Sequence, residues 1–119
     1  MEKRKKHIYK KLKIWQLAME VCNDVFEITD KFPKEEKFGL ISQLNRCAVS
    51  IPSNIAEGSS RSNPSFSHFL DVALGSSYEL VTQLLISSNR KYINNKALTI
   101  IENKIDELQK MMVSFQKTL

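Results

Sequence analysis

The chain has 119 residues, 42% of them hydrophobic and 26% charged, with only 3 Gly and 3 Pro. That length fits one compact domain, and that apolar content excludes a disordered or collagen-like chain. So few Gly and Pro argue against an all-β domain, whose strands need a turn roughly every 8 to 12 residues. The formal net charge is +5 and is unevenly placed. Residues 1–13 hold Lys3, Arg4, Lys5, Lys6, Lys10, Lys11 and Lys13 against Glu2 alone, a local net of +6, so the other 106 residues sum to −1. A near-neutral body thus carries a basic N-terminal arm, able to neutralise several phosphates with little sequence preference. No apolar run reaches the roughly 18 residues of a membrane span, and no apolar stretch of signal-peptide type follows the basic start. A soluble, cytoplasmic domain of bacterial style, without membrane contact, is the expectation.

The first helix is predicted from about Tyr9 to Lys31. Leu12, Trp15, Met19, Cys22 and Phe26 recur at spacings of three and four, and Ile14, Ala18, Val21, Val25 and Ile28 form a second stripe beside them. The apolar arc is wider than a simple amphipathic seam, which hints that this helix meets a partner chain as well as its own core. Residues 1–8 then form the arm and residues 9–119 the bundle domain. Phe32-Pro33 marks the break, because the residue before proline is pushed out of the helical region.

Pro33 is predicted to open a second helix, with Glu35 and Glu36 near its positive end. This helix turns Leu40, Leu44, Cys47, Ala48, Ile51 and Ile55 inward and runs to about Glu57. Pro52 removes the bond to the Ala48 carbonyl and is expected to kink the helix there or divide it. Gly58 and the polar run Ser59–Asn63 end the element. A third helix opens with Asn63 as cap and Pro64 in its first turn. Its apolar face reads Phe66, Phe69, Leu70, Ala73, Leu74, Leu80, Val81, Leu84 and Leu85. Gly75 at its middle costs about 1 kcal/mol of helix propensity, which suggests a close contact that needs the missing side chain. The last helix is predicted from about Asn95 to Lys117, with Ala97, Ile101, Ile105, Leu108, Met112 and Phe115 in one narrow stripe. Four helices with short connections give an all-α, up-and-down antiparallel four-helix bundle whose second helix is kinked at Pro52.

Catalytic chemistry has little to work with. His7 and His68 stand alone in sequence, and no H-E-x-x-H, C-x-x-C or Glu-x-x-His pairing offers a metal site. No Gly-rich phosphate loop exists, and Ser42, Ser50 and Ser53 have no adjacent base. No enzyme activity, cofactor or metal is expected. Cys22 and Cys47 fall inside apolar helical patterns and read as buried free thiols. Gln43, Arg46, Ser50, Ser53, Asn54 and Glu57 on the second helix, with Glu79 on the third, form a polar cluster among core positions. It is read as structural: Arg46 pairs with Glu57 or Glu79, while Ser50 and Asn54 satisfy backbone groups freed by Pro52. The competing reading is a ligand or RNA pocket at the Pro52 kink.

The run from Phe38 to Gly58, FGLISQLNRCAVSIPSNIAEG, resembles the signature of the four-helix-bundle family associated with 23S rRNA intervening sequences, often labelled S23 ribosomal protein. The likeness extends to Leu12–Gln16, Phe32–Glu36 and Ala73–Leu80, and so covers nearly the whole chain. The resemblance implies a homopentamer arranged as a barrel around a central channel. It also implies kinship with accessory proteins of diversity-generating retroelements, which bind nucleic acid and associate with a reverse transcriptase. It carries over no catalytic residues. Three readings compete. The first is a non-catalytic oligomer that binds RNA or structured DNA through Lys3, Arg4, Lys5, Lys6, Lys10, Lys11 and Lys13, with Arg61, Arg90 and Lys91. The second is an accessory subunit that docks a protein partner such as a reverse transcriptase and makes no nucleic-acid contact. The third is an enzyme with an open cleft around Arg46, Asn54, Glu57 and Glu79. The first is preferred, because a ring multiplies the arm's weak phosphate contacts.

Overall fold

The computed structural model describes residues 7–119, so Lys3, Arg4, Lys5 and Lys6 lie outside the described residues. A 3-10 turn at Tyr9–Lys11 leads into α1 (Lys13–Thr29), and a second at Lys34–Glu36 precedes α2 (Leu40–Ser59). Then follow α3 (Asn63–Asn89) and α4 (Asn95–Gln116). Together they form an all-α four-helix bundle in which each helix packs against its sequence neighbour and α4 returns against α1. The antiparallel sense of α2 and α3 is fixed by two cross-links. Ser50 Oγ lies 2.9 Å from Ser76 Oγ, and one turn away the Cys47 thiol donates to Glu79 Oε2.

The core is the predicted one in most positions. Ile14, Ala18, Val21 and Val25 of α1 meet Leu44, Ala48, Ile51 and Ile55 of α2, with Phe66, Leu70, Ala73, Leu80 and Leu84 of α3 and Ile101, Ile105, Leu108 and Met112 of α4. Both cysteines are free and buried. The second α1 stripe is therefore absorbed by the chain's own core. Leu12, Trp15, Met19 and Ile28 are half-buried, and of the α1 apolar residues only Phe26 is exposed.

Several local expectations change. Pro33 precedes a 3-10 turn rather than opening α2, which starts after Gly39. The flanking residue of α3 is Ser62, not Asn63, with Pro64 in the first turn where its missing N–H costs nothing. At α4, Asn94 Oδ1 accepts from Ala97 N at 2.8 Å and so satisfies one free donor of the helix start. α2 runs undivided through Pro52. Gly58 does not terminate α2 but sits buried in its last turn, and the hydroxyls of Ser59 and Ser60 bond back to the Ala56 and Glu57 carbonyls.

Gly75 reverses its expectation more fully. It is exposed, and among the described residues an added Cβ would meet nothing within 4 Å beyond its own helix backbone and chain neighbours, so no helix approach within the described chain explains it. Leu85, assigned to the core, is exposed as well. Both features belong to α3, which against expectation is long and apolar enough to cross a membrane, although Asp71 and Glu79 interrupt it. Only 28% of its most apolar stretch is buried.

Candidate nucleic-acid interface

In an up-and-down bundle the start of α1, the end of α2, the start of α3 and the end of α4 share one end. The basic arm enters here. Tyr9 stacks edge-on against Trp15 with ring centroids 5.4 Å apart, and Gln16 Nε2 donates to the Lys10 carbonyl at 2.9 Å. These contacts fix the 3-10 turn whose residues Lys10 and Lys11 project into solvent beside Lys13. None of the three lysines makes an ion pair among the described residues. Just before them, the His7 ring packs edge-on to Phe66 at 5.3 Å and Phe115 at 5.7 Å, rooting the arm on the ends of α3 and α4.

Arg61 belongs to the same end but is less available. Its guanidinium donates to Glu57 Oε2 at 3.1 Å and lies 5.4 Å from the Phe69 ring centre. Both partners of the pair are about half exposed, so the bond is weak and can exchange for a phosphate.

Arg90 and Lys91 lie at the other end. They follow α3 as Arg61 precedes it, which puts them about 40 Å away at 1.5 Å per helical residue. The residues expected to share one interface are therefore split between two. The second end has cations that sequence reasoning missed. Tyr92 Oη donates to Glu36 Oε2 at 2.9 Å, tying the α3–α4 turn to the α1–α2 turn. Lys34 and Lys37 consequently join Arg90 and Lys91, and the Arg90 guanidinium lies 6.0 Å from the Tyr92 ring centre. Knowing that the first and third turns of such a bundle share an end would have found them. Lys91 itself has φ 64°, a left-handed residue closing α3 through bonds from its N–H to Ser88 and from Tyr92 N–H to Ser87.

The side where α1 meets α4 carries the acids Glu20, Asp24 and Glu27. On it Lys104 Nζ contacts Glu20 at 2.9 Å and Asp24 at 2.7 Å, so its charge is spent within the fold. The hydrogen bonds to Asp24 and then Glu20 hold its ammonium above the ordinary lysine value. A cavity of about 320 Å³ beside this pair, floored by Ile28, Ile93 and Ile101, has both acids and lysines at its rim and does not resemble a phosphate cradle.

The polar cluster is not the predicted ion-pair network. Arg46, Gln43, Glu57 and Glu79 are exposed; Glu57 pairs with Arg61, Glu79 accepts from Cys47, and Arg46 makes no ion pair among the described residues. The local bonds are neutral and differ from the expected ones: Asn54 Nδ2 donates to the Ser50 carbonyl at 2.7 Å and to Ser50 Oγ at 3.0 Å, and the accepting carbonyl is not the Ala48 one that Pro52 frees. Four residues along a helix share one face, and this pair uses that spacing across Pro52. Burial, and then Glu79, push the Cys47 thiol up to about 11, while burial alone raises Cys22. Neither is poised as a nucleophile.

The family model described as 23S rRNA-intervening sequence protein matches residues 10–114. A solved structure of similar fold is a protein of unknown function from the S23 ribosomal protein family of Bacteroides thetaiotaomicron. It superposes with a TM-score of 0.81 at 24% identity and covers 87% of this chain and 95% of that one. No curated protein matches.

Proposed function

We propose that this chain, which belongs to the 23S rRNA-intervening sequence protein family, is a non-catalytic cytoplasmic homo-oligomer that binds structured RNA through its arm end. The observation that carries the reading is the exposed set Lys10, Lys11 and Lys13, in no ion pair among the described residues, next to Lys3, Arg4, Lys5 and Lys6 in sequence. Exposed lysines with no ion pair among the described residues give up little to exchange counterions for phosphates. Tyr9 is engaged by Trp15, which leaves no aromatic platform there for stacking bases and favours backbone and shape recognition. Arg61 extends the surface once it leaves Glu57. Arg90, Lys91, Lys34 and Lys37 form a separate basic end, which a long RNA could reach on the same or a neighbouring subunit. Homo-oligomerisation, pentameric as the resemblance implies, repeats the arm around an axis and converts weak contacts into avidity.

The test is a fluorescence-anisotropy titration against a structured RNA at two salt concentrations. Removing residues 1–11 would also remove His7 and Tyr9 from Phe66, Phe115 and Trp15, so the better variant keeps them and replaces the seven arm cations with Gln. Expected are tight, salt-sensitive binding by the native protein and a large loss with a shallower salt slope in the variant. No binding by the native protein at low salt overturns the reading in favour of a protein partner, such as a reverse transcriptase, docked on the bundle.

A further inference from the structure

α1 and α4 leave a gap between them where α1 finishes and α4 begins. Their register follows from Lys104, whose ammonium bonds Glu20 and Asp24 and so sets residue 104 opposite residues 20–24. Antiparallel helices in that register bring Ala97 close to the level of Ile28. Ala97 has only a methyl group to fill the space, and a cavity of about 320 Å³ stays open beside it. Ile28, Ile93, Ile100 and Ile101 complete its apolar lining. A concave site of this size, mostly apolar with a few polar groups at its mouth, is of the kind that holds a small organic molecule.

The polar groups narrow the choice of molecule. Asp24 and Lys104 line one side of the cavity, and because Lys104 is shared with Glu20 as well, that side keeps a net negative charge. Tyr92 Oη is engaged by Glu36, and Asn94 Oδ1 caps α4, so neither oxygen is free for a ligand. Glu27 and Lys31 are different. They stand four residues apart where α1 ends, both line the cavity and both are exposed. Neither makes an ion pair among the described residues. The mouth therefore presents one anion and one cation side by side above an apolar floor, with the anion on the side of Asp24.

We propose that this cavity binds a free α-amino acid with a large apolar side chain, of the phenylalanine or leucine class. The side chain fills the space over Ala97, the α-ammonium faces Glu27 with Asp24 behind it, and the α-carboxylate faces Lys31. The charges select the zwitterion over its neighbours. An apolar anion such as a fatty acid would meet Glu27 and the surplus acid beside it, and an apolar amine would leave Lys31 unmatched. Glu27 and Lys31 are solvated, so taking up a head group between them sacrifices little existing interaction. The site is separate from the basic residues assigned to RNA, and the proposal does not depend on that assignment.

Isothermal titration calorimetry of the full chain with L-phenylalanine tests it. A ligand of about a dozen heavy atoms is expected to bind with a dissociation constant on the order of 0.1–1 mM, and to raise the melting temperature as it saturates. Three analogues separate the groups: 3-phenylpropanoate lacks the ammonium, 2-phenylethylamine lacks the carboxylate, and N-acetyl-phenylalanine amide lacks both charges. Each is expected to bind at least about tenfold more weakly. Lys31→Gln should weaken L-phenylalanine about tenfold and leave 2-phenylethylamine unchanged, while Glu27→Gln should weaken L-phenylalanine and leave 3-phenylpropanoate unchanged. Both positions are exposed, so these variants fold. Ala97→Leu, which fills the cavity, should abolish binding. Absence of heat and of a melting shift with L-phenylalanine, L-leucine and L-tryptophan at about 10 mM overturns the proposal. Equal binding of all four phenyl compounds would mean an unselective apolar void, and it fails then too. If the blocked amide binds as tightly as the free amino acid, the occupant is a side chain of a partner polypeptide and the amino-acid reading falls. Binding that survives Ala97→Leu and both Gln variants unchanged places the ligand elsewhere and overturns it as well.

Discussion

The Phe66 ring occupies the place where a side chain at Gly58 would begin: a Cβ built on Gly58 stands 2.7 Å from Phe66 Cδ1, and 2.8 Å from Phe69 Cβ. The last turn of α2 and the first turns of α3 therefore approach more closely than any other residue type allows. Phe66 is fully buried and also supports His7, so it has no free side on which to retreat. Gly58→Ala is expected to destabilise the fold by about 2 kcal/mol despite the better helix propensity of alanine, through the strain of overpacking. Gly75→Ala, in open space, is expected to stabilise the fold by about 1 kcal/mol. Chemical denaturation of both variants checks the opposite signs. Equal effects at the two positions would refute the account of Gly58.

Among the described residues Lys104 is the one cation whose ion pairs tie α4 to α1, through Glu20 and Asp24. Its side chain is about one-third exposed, so the two bonds are partly screened. Lys104→Met keeps most of the aliphatic stem and removes both bonds. A loss of about 1 kcal/mol at low salt, shrinking as salt is added, is the expected result. A loss that does not change between low and high salt would show that packing of the stem, not charge, is what Lys104 contributes.

Much of the fold is legible in the sequence because α4 and the inward stripes of α1 and α2 carry clean helical periodicity. Periodicity says which faces are apolar but not which of them the chain can cover by itself. That is why the wide arc of α1, absorbed by the core, drew notice, whereas the bare faces at Leu85 and Phe38 did not. Arg46 fails for a related reason: a charge among core-like positions looks buried in sequence, yet it sits at the edge of the α2 stripe and reaches solvent. The basic end formed by Lys34, Lys37, Arg90 and Lys91 depends on the pairing of two turns through Tyr92 and Glu36, 56 residues apart, which no local pattern encodes. Conversely, Lys10, Lys11 and Lys13 needed no tertiary information, since their clustering is local.

The raised thiols make stability depend on pH on the alkaline side. A thiol raised in the native state stays protonated there after its unfolded counterpart has ionised. Its contribution is thus complete below the unfolded value near 9 and disappears as pH climbs through the native one, about 11 for Cys47. Stability is expected to fall by roughly 2 kcal/mol between pH 9 and 11 on account of Cys47, with Cys22 adding in the same direction. Denaturation midpoints across that range, compared with Cys47→Ala, check the size of the fall. At pH 8 the same shift keeps Cys47 about a hundredfold poorer in thiolate than a free cysteine of value 9, so alkylation by iodoacetamide should be correspondingly slow in the folded protein. Labelling of Cys47 as fast as in urea would contradict the environment described.

Lys91 separates stability from function at the second basic end. Its left-handed backbone, φ 64°, is where a helix usually ends on glycine, because an L side chain there crowds the following carbonyl. Lys91→Gly removes that crowding and is expected to stabilise the fold by about 1 kcal/mol, visible as a raised melting temperature. Arg90→Gln touches no such strain and should leave stability within about 0.5 kcal/mol. If the second end contacts RNA, both substitutions weaken binding and reduce its salt slope, although one protein has become more stable and the other has not. Weaker binding in both with opposite or unequal stability changes would show that the cations act on RNA directly. Unchanged binding in both would restrict the interface to the arm end and Arg61.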